Sequence, residues 1–408
     1  MSINNAIGDG ALTTAQISPT AVIHATFIGG ALYRQKMYAA SHPLAIPRVS
    51  LTYDLIQAYK AITPDEYKPA RMAEEHELLW FHTADYVKAM QYAQRSRGVS
   101  QDQRQQYKLG TLENPYFEDM FDIAATATGA SIQAAEVVIQ GRIAFNPAGG
   151  MHHARAGHAQ GFCYFNDPVL AIKRLRKEGL RVLYVDIDAH HGDGVEEAFS
   201  DDGEVLTLSL HMDTRYAYPH QGGQFSDAGS AKNGYATVNI PLPKGTHDAE
   251  YQLVFQAIWR PVLQKFKPDV VVLQAGTDML AADPLGKFNI STQSFLDLCA
   301  TVLKDSPQHA SGTPRLLVTG GGGYHPLILA RAWTGLWGLL SGRNLPVALP
   351  AEAGRLLRNV AWDMDEDQAY FSKLFVSRLD TKTAVPIRRE MIDLVKTFPN
   401  HPFFEHHE

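Results

Sequence analysis

The feature that most constrains the fold is an alternation of short apolar runs with longer stretches of helical spacing. The runs "RVLYVDI" and "DVVVLQAG" are rich in β-branched residues and show little polar alternation, as expected for strands covered on both faces. Stretches such as "TQSFLDLCATVLKD" and "PLILARAWTGLWGLL" have helical spacing. Strands that alternate with helices usually form parallel sheets. The sequence therefore predicts an α/β fold with a mostly parallel central sheet and helices on both faces.

The same patterns divide the chain into three parts. Residues 1–21 predict a flexible N-terminal arm, residues 22–345 the main domain, and residues 346–408 a charged helical extension that packs on it. Within the main domain, "HELLWFHTADYVKAMQYAQ" predicts one helix. A longer helix is predicted for "DAEYQLVFQAIWRPVLQKF", where Pro261 marks a position at which the helix could kink.

Composition excludes several classes of protein. The net charge of −6 comes from mixed signs without a run of lysine and arginine, so direct nucleic-acid binding is not expected. The two cysteines, Cys163 and Cys299, suit a reducing compartment rather than a disulfide framework. The sequence shows no signal peptide, and no apolar run approaches the about 20 residues that a membrane span needs. We therefore expect a cytoplasmic protein.

Four of the predicted strands run directly into unusual polar loops. "IAFNPAGG" leads to "MHHA", "RVLYVDI" to "DAHHGDG", "VVVLQAG" to "TDM", and "RLLVTGGGG" to "YHP". In open α/β sheets, ligands bind beyond the carboxyl ends of the strands, and parallel strands bring those ends to one edge. We expect the four loops to form one site.

The loop after "RVLYVDI" indicates a metal site. Asp186, Asp188 and His190 alternate along the chain, so Asp188 and His190 are expected to reach one point, with Asp278 as a third ligand. One imidazole and two carboxylates suit a catalytic divalent metal, most often zinc, which lowers the pKa of bound water to about 7. The plainer interpretation is that each acid caps a helix or forms a turn. The joint pattern favours a metal, because so many ionisable groups at a buried strand end would be costly without partners.

Two further loops predict acid–base and carbonyl-binding groups. His152 and His153 are adjacent and need separate partners, and Asp186 and Asp193 are the acids not assigned to the metal. Two His–Asp pairs beside an activated water would be a general acid–base arrangement, whereas an ordinary pair of surface histidines is the alternative. Tyr324 follows four glycines and could donate to the oxygen of a polarised carbonyl. A flexible turn is the alternative there, and a phosphate loop is disfavoured because the Lys-Ser/Thr ending is absent.

These motifs, in this order, resemble those of the histone deacetylase family, class I branch, which has the arginase–deacetylase fold. The similarity extends from about Ala31 to Gly342 and includes "GGMHHARAGHAQGFCYFND", "VDIDAHHGDGVEEAF", "LQAGTDMLAADPLGKFN" and "GGGGYHP". The acetoin-utilisation deacetylases of that branch are also similar. The resemblance implies that residues 22–345 are a catalytic domain that removes acyl groups from lysine side chains.

The resemblance implies a role for each group of the predicted site. Zinc ligands are implied at Asp188, His190 and Asp278. His153 would be the general base and then the general acid to the leaving amine, with His152 as electrostatic support. Asp186 would pair with His152, and Asp193 with His153. Tyr324 would polarise the acyl carbonyl and stabilise the oxyanion.

A narrow tunnel is implied for the acylated lysine side chain. Its matched positions are Gly161, Phe162, Tyr218 and Gly322, with Glu113 near the rim. Tyr218 departs from the usual phenylalanine, and Met151 stands where an aromatic residue or leucine is common. Glu113 lies near the position at which the family carries an acidic residue that binds the substrate backbone. The segment "LENPYF" departs from the usual family pattern there. Arg48 matches an arginine near an internal acetate-release channel, and a surface residue at a helix start is the alternative.

The resemblance also implies bound potassium. The nearer site would use Asp186, Ser209 and the backbone carbonyls of Asp188, His190 and Leu210. The farther site would use backbone carbonyls near Phe199, Asp202, Val205 and Ala236. The two-manganese site of the arginase branch needs further aspartates where this chain has Gly192, and Gly276 or Leu280, so a dinuclear site is disfavoured.

Three functions stay open on the sequence alone. The leading hypothesis is a zinc-dependent deacetylase of acetylated or acylated lysine in proteins, with structural potassium. The second is the same chemistry on acetylpolyamines or other small acetylated amines, and the third is a non-catalytic acyl-lysine-binding protein. Iron (Fe²⁺) could replace zinc, since a mixed oxygen and nitrogen site is not strongly selective. The natural substrate, the acyl-length preference and the oligomeric state stay open.

Overall fold

The central sheet is parallel throughout. The structure is a computed structural model that describes residues 24–35, 38–39, 42–230, 235–361, 373–380 and 385–405, so the predicted arm lies outside the described residues. The strands are β1 Ala25–Gly29, β2 Tyr67–Pro69, β3 Ile143–Asn146, β4 Val182–Asp186, β5 Val205–Met212, β6 Thr237–Leu242, β7 Val270–Gln274 and β8 Leu316–Thr319. Within the described residues they pair, always in parallel, in the order β2-β1-β3-β8-β7-β4-β5-β6. The predicted α/β fold with a mostly parallel sheet is confirmed.

Helices cover both faces of this sheet. They are α1 Arg48–Ala58, α2 Glu75–Leu78, α3 Ala84–Ser96, α4 Gln101–Tyr107, α5 Met120–Ile139, α6 Asp167–Arg176, α7 Asp193–Phe199, α8 Asp248–Phe266, α9 Thr292–Asp305, α10 Pro326–Leu340, α11 Ala351–Arg358, α12 Arg389–Thr397 and α13 Pro402–Glu405. Short 3₁₀ helices occupy Ala31–Arg34, Pro64–Glu66 and Phe398–Asn400.

The alternation of side chains along the strands builds two cores. Leu183 and Val185 of β4 belong to the core that includes residues of α1, α8, α9 and α10. Val182 and Tyr184 of the same strand belong to the core that includes residues of α5, α6 and α7. Successive side chains of a strand point to opposite faces, so an uninterrupted apolar run is what a strand between two helical layers requires.

The predicted helix over residues 76–94 is wrong in one respect, because two helices replace it. The chain leaves α2 after Leu78, and Thr83 is extended, with φ −70° and ψ 146°, at the start of α3. The Thr83 N–H donates to the carbonyl of Ala156 at 2.9 Å, so a tertiary hydrogen bond replaces a helical one. The helix predicted around Pro261 forms as one element, with the proline inside α8.

The chain after residue 345 packs onto the main core where the structure describes it. Leu357 of α11, Met391 of α12 and Phe403 of α13 are buried in the core that contains α8 and α10. The division of the chain into an arm, a catalytic domain and an extension stays a prediction. No helix among the described residues is long and apolar enough to span a bilayer.

Candidate active site

The four polar loops predicted to share one edge follow four strands that are neighbours in the sheet. Strands β3, β8, β7 and β4 lie side by side in that order, and all run in the same direction. Their carboxyl ends therefore meet at one edge. The loops that carry His152 and His153, Asp188 and His190, Asp278, and Tyr324 begin there.

The structure brings Asp188, His190 and Asp278 together. Their ligand atoms lie within 4.8 Å of one another, and all three residues are buried. The reason differs from the strand alternation assumed above, because β4 already ends at Asp186. Beyond that point each side chain accepts from the backbone two residues on: Asp186 Oδ1 from Asp188 N at 3.1 Å, and Asp188 Oδ1 from His190 N at 2.9 Å. These two short turns aim Asp188 and His190 at Asp278.

The donor set suits a divalent cation. His190 Nδ1 lies 2.9 Å from Asp278 Oδ2 and 3.2 Å from Asp188 Oδ1, so two buried carboxylates and one imidazole converge on one point. Two buried negative charges without a cation would carry a severe desolvation cost. One nitrogen and two oxygen ligands with room for a further ligand match catalytic zinc sites. Among the described residues this is the one cluster of its kind.

Glycines leave room for the two carboxylates. A side chain at Gly322 would place its Cβ 2.0 Å from Asp278 Oδ2, and one at Gly276 would place its Cβ 2.3 Å from Asp188 Oδ2. The Gly322 N–H donates to Asp188 Oδ2 at 2.7 Å, as does the Gln274 side-chain amide at 2.8 Å. A side chain at position 276 would therefore displace Asp188, and the prediction against a dinuclear site stays a prediction.

His152 and His153 form the two predicted pairs with carboxylates. His152 Nδ1 lies 2.8 Å from Asp186 Oδ2, and His153 Nδ1 lies 2.8 Å from Asp193 Oδ1. The Nε2 atoms of the two histidines are 3.1 Å apart. All four side chains are buried. The alternative of ordinary surface histidines is excluded by this burial.

The surroundings shift the pKa values of the two histidines in opposite directions. Burial opposes the charge of His152, but the carboxylates of Asp186 and Asp188 raise its pKa to about 9. Burial and the neighbouring His152 lower the pKa of His153 to about 4, against the opposing effect of Asp193. His152 Nδ1 donates to Asp186, and the Nδ1–H of His153 faces Asp193. The neutral His153 keeps an acceptor at Nε2.

Other polar residues hold the carboxylates of these pairs, and the sequence analysis did not assign them. The Tyr184 hydroxyl donates to Asp186 Oδ2 at 2.7 Å. Arg155 forms an ion pair with Asp193 Oδ2, and the Gln160 side-chain amide donates to the same oxygen at 2.6 Å. Tyr184 and Asp186 are two residues apart in β4, so their side chains share one face of the sheet, and the sequence could have indicated this contact. Arg155 and Gln160 lie in a loop whose shape the sequence alone does not define.

Tyr324 lines the same cavity as His153 and His190. Its backbone N–H donates to Asp283 Oδ2 at 2.7 Å, and its ring lies 5.9 Å from the ring of Phe162. Burial, together with the charges of Asp278 and Asp188, raises the pKa of the Tyr324 phenol well above its usual range. The phenol therefore stays protonated and can donate a hydrogen bond.

Four of the five predicted tunnel residues line one cavity of about 910 Å³ that opens on the surface, and Gly322 is not among its lining residues. His153, His190 and Tyr324 lie in its lining, together with Gly161, Phe162, Tyr218 and Glu113. The ring of Tyr218 lies 4.9 Å from that of His153. Gly161 has φ +56°, and a Cβ there would lie 2.4 Å from His153 Cδ2, so glycine is needed for this close approach.

Glu113 is held by the wall of the tunnel. Its Oε1 accepts from the Tyr218 hydroxyl at 2.6 Å and from the Gly161 N–H at 2.7 Å. The hydroxyl that distinguishes Tyr218 from the usual phenylalanine thus has an internal partner. Binding of the substrate backbone by Glu113 stays a prediction.

A second cavity, of about 1080 Å³, shares the lining residues Phe162 and Tyr324 with the first. Arg48 and Met151 line it. Arg48 is buried at the start of α1, and its guanidinium donates to the carbonyl of Gly321 at 2.7 Å. Arg48 is therefore not the surface residue that the alternative proposed.

The nearer predicted potassium site lies beside Asp186. Asp186 of β4 and Ser209 of β5 are register partners. Ser209 Oγ lies 2.8 Å from His211 Nδ1, and the Leu210 carbonyl accepts from the Tyr251 hydroxyl at 3.4 Å. These contacts do not test a potassium ion, which stays a prediction.

The farther predicted potassium site lies where α7 leads to β5. The carbonyl of Phe199 accepts from Asp202 N, and that of Asp202 accepts from Val205 N, so these residues form one turn. The Ala236 carbonyl accepts from Thr207 N at 2.9 Å. This site, too, stays a prediction.

Comparison with known families shows what class of protein this fold and site belong to. The model of the histone deacetylase domain matches residues 42–340, which is well over half of the chain. The chain therefore belongs to the histone deacetylase family, and it is a class I-like member with the arginase–deacetylase fold. Histone deacetylases are hydrolases of the amide bonds of acetyl-lysine, and the chain is a hydrolase that acts on linear amide C–N bonds.

Particular relatives support the assignment. The chain is 39% identical over 305 residues to histone deacetylase 8 of Xenopus tropicalis, a match that covers 74% of this chain and 80% of the relative. It is 34% identical over 328 residues to the acetoin utilization protein AcuC of Bacillus subtilis, covering 78% of this chain and 84% of the relative. A crystal structure of an HDAC homolog complexed with SAHA is 41% identical, with a TM-score of 0.85. That match covers 91% of this chain and 99% of the other.

Proposed function

We propose that the protein is a zinc-dependent deacetylase that hydrolyses the amide of Nε-acetyl-lysine, or of longer acyl-lysines, in proteins. The observation that carries the proposal is that His153 and Tyr324 line the same cavity as His190 of the Asp188–His190–Asp278 cluster. A base, a phenol donor and a metal-binding set around one cavity are what hydrolysis of an amide requires.

The proposal assigns a residue to each catalytic step. Phe162 and Tyr218 would enclose the lysine stem and bring the acyl group to the inner end of the tunnel. The neutral His153 would take a proton from the attacking water at Nε2 and then return it to the leaving amine. Asp193 would hold the His153 ring through Nδ1 and stabilise its charged form. The Tyr324 phenol would donate to the acyl oxygen as negative charge develops there.

The cations of the proposal have separate tasks. Asp188, His190 and Asp278 would hold zinc, with Fe²⁺ as the alternative metal. When bound, such an ion polarises an acyl carbonyl and lowers the pKa of a coordinated water. The potassium sites beside Asp186 and at the turn after Phe199 would be structural.

The remaining proposals concern the whole chain. The catalytic domain would comprise residues 22–345, with residues 346–408 as an extension that packs on it. A cytoplasmic location is proposed because the cysteine usage suits a reducing compartment. Both Cys163 and Cys299 are buried as unpaired thiols. The described residues leave the oligomeric state open.

Hydrolysis of an acetyl-lysine peptide by the zinc-loaded protein tests the proposal. We expect turnover that a chelator abolishes, and a loss of kcat of about 10²–10³-fold in Tyr324→Phe. The matched control is Tyr92→Phe, which alters an exposed tyrosine on α3. Tight binding of the peptide without hydrolysis by the wild type would instead favour the non-catalytic acyl-lysine-binding protein.

A second comparison separates the two deacetylase hypotheses. Values of kcat/KM are measured side by side for the acetyl-lysine peptide and for N-acetylputrescine. We expect the peptide to be the better substrate. A clear preference for N-acetylputrescine would replace the protein-lysine proposal with the small-amine one.

A further inference from the structure

The outer part of the tunnel cavity carries four charged side chains besides the catalytic groups. These are Glu113, Asp213, Lys244 and Lys287. Both carboxylates are already engaged within the protein. Glu113 accepts from Tyr218 and Gly161, and Asp213 is held by Arg215, whose Nε lies 2.9 Å from each carboxylate oxygen. The guanidinium of Arg215 compensates the charge of Asp213, whereas both donors to Glu113 are neutral and leave its negative charge in place.

The two lysines at the mouth are arranged differently. Both are exposed, and neither forms an ion pair with a carboxylate in the part of the chain that the structure describes. The Lys287 ammonium donates to the carbonyl of Pro284 at 2.6 Å, a neutral partner that leaves its charge uncompensated. The Gly245 N–H donates to the Lys287 carbonyl at 2.7 Å, so the two lysines stand on touching loops. We call Lys244 and Lys287 the basic rim.

The basic rim is a local departure from the charge of the whole molecule. The chain carries a net charge of −6, yet its catalytic cavity is lined by two uncompensated lysines against one uncompensated carboxylate, Glu113. Charges of one sign at a cleft focus the field and raise the local concentration of ligands of opposite sign. One positive charge is left in excess, and the two exposed lysines attract anionic groups and repel cationic ones.

We propose that the basic rim makes the enzyme prefer acyl-lysines that have acidic residues beside them over acyl groups on polycationic peptides or polyamines. This inference rests on the proposed function, because it names the kind of acyl-lysine that the site accepts. Both lysines are exposed, so their attraction acts on encounter and on KM, is weakened by salt, and leaves the chemical step unchanged.

Three peptides of equal length test the preference. Each carries one acetyl-lysine, flanked on both sides by glutamate, by serine or by lysine. We expect kcat/KM to fall in the order glutamate, serine, lysine, by about three- to tenfold from first to last, with kcat nearly constant. The order should flatten as the salt concentration is raised from roughly 0.01 M to 1 M.

Charge substitutions assign the preference to the rim. In the double variant Lys244→Glu/Lys287→Glu the order should reverse, and in Lys244→Ala/Lys287→Ala it should disappear. The control Lys304→Glu, an exposed lysine on α9, should leave the order unchanged. A flat or reversed order in the wild type, or an unchanged order in both double variants, overturns the proposal.

A binding measurement separates this proposal from the proposed function. Dissociation constants for the same peptides, from fluorescence anisotropy, should follow the same order. If no peptide is hydrolysed but the order is found in binding, the deacetylase proposal fails and the role of the rim stands. If the peptides are hydrolysed equally well and bind equally well, the rim has no role and the deacetylase proposal stands.

Discussion

The Tyr218 hydroxyl donates a 2.6 Å hydrogen bond to Glu113 Oε1 and so joins two loops at the mouth of the tunnel. Glu113 lies between α4 and α5, and Tyr218 lies between β5 and β6. The same carboxylate oxygen accepts from the backbone of Gly161, next to Phe162. One carboxylate thus ties together the segments that carry Phe162 and Tyr218. A phenylalanine at position 218 could not make this bond.

Loss of this hydrogen bond is expected to weaken substrate binding. In Tyr218→Phe the ring stays but its tether to Glu113 is lost, so the tunnel wall should be less well ordered. A hydrogen bond to a charged group is worth about 1.5–3 kcal/mol, and only part of that should appear in substrate binding. We expect KM for an acetyl-lysine peptide to rise by about three- to tenfold while kcat changes little. Steady-state kinetics with one peptide measures both.

A double-mutant cycle shows whether the two residues act together. If Glu113 acts through Tyr218, the losses in Tyr218→Phe and Glu113→Ala should not add in the double variant. The control Tyr216→Phe removes a hydroxyl from the same loop at a side chain that is 81% exposed, and it should behave as the wild type. Additive losses would show that the 2.6 Å contact has no role in substrate binding.

Asp193→Asn is expected to lower kcat far more than it changes KM. Asp193 faces Nδ1 of His153, and an amide there can favour the tautomer that leaves no acceptor at Nε2. We expect kcat to fall by about 10²–10⁴-fold. Single-turnover and steady-state rates would measure the loss. Thermal unfolding of the variant shows whether the lost ion pair with Arg155 also destabilises the fold.

The control for this substitution changes the other carboxylate that is paired with Arg155. Glu197 is the other carboxylate that pairs with Arg155, and its side chain is 60% exposed. Glu197→Gln removes that ion pair without touching His153, so kcat should stay close to the wild-type value. An equal loss in both variants would place the effect on Arg155 rather than on the histidine.

Much of the fold could be predicted because its signals are local. The boundaries of α9 and α10 coincide with stretches read directly from helical spacing, and β4 and β7 are apolar runs whose two faces are both buried. The position of the site followed from strand direction alone. The break between α2 and α3 could not be predicted, since it depends on a hydrogen bond from Thr83 to Ala156, far along the chain.

The residues that support the site were harder to predict for the same reason. Asp188 and His190 stand in one motif, but Arg155 and Gln160 act on Asp193 across a loop. The partner of Glu113 could not be foreseen, because the sequence between residues 108 and 119 has neither strand nor helix spacing. Long-range contacts of this kind become visible only when the sheet brings the loops together.

Gly322→Ala is expected to weaken metal binding. The added Cβ would lie 2.0 Å from Asp278 Oδ2 and 2.9 Å from Asp188 Oδ2, so the carboxylates would have to move. Displaced ligand carboxylates should lower zinc affinity by about 10- to 100-fold. Competition with a chromophoric chelator measures this affinity without any assay of activity. The control Gly98→Ala meets no atom within 4 Å, and unchanged zinc affinity in Gly322→Ala would contradict the site described here.

Arg388 and Glu250 are expected to make the stability of the fold depend on pH. Glu250 is buried in α8, and Arg388, just before α12, donates to it through its backbone N–H, Nε and a terminal guanidinium nitrogen at 2.7–2.9 Å. His247 Nε2 lies 3.4 Å from the same carboxylate. Against the effect of burial, Arg388 holds the pKa of Glu250 below its ordinary value of 4.5. Glu250 therefore favours folding above that pH, and this contribution is lost as the pH falls through the lowered pKa.

Arg388→Gln should reveal this contribution. At pH 7 the variant keeps a buried, charged Glu250 with fewer donors, and we expect its free energy of unfolding to fall by about 2 kcal/mol. Below pH 4.5 Glu250 becomes protonated more readily in the variant than in the wild type. The difference in free energy of unfolding between the two proteins, called the gap below, should therefore narrow. Urea unfolding across this pH range measures the gap. Arg389→Gln is the matched control, because Arg389 is 79% exposed and pairs with the exposed Asp393. A gap that is constant with pH, or equal in the two variants, would show that the Glu250–Arg388 ion pair does not anchor the C-terminal helices.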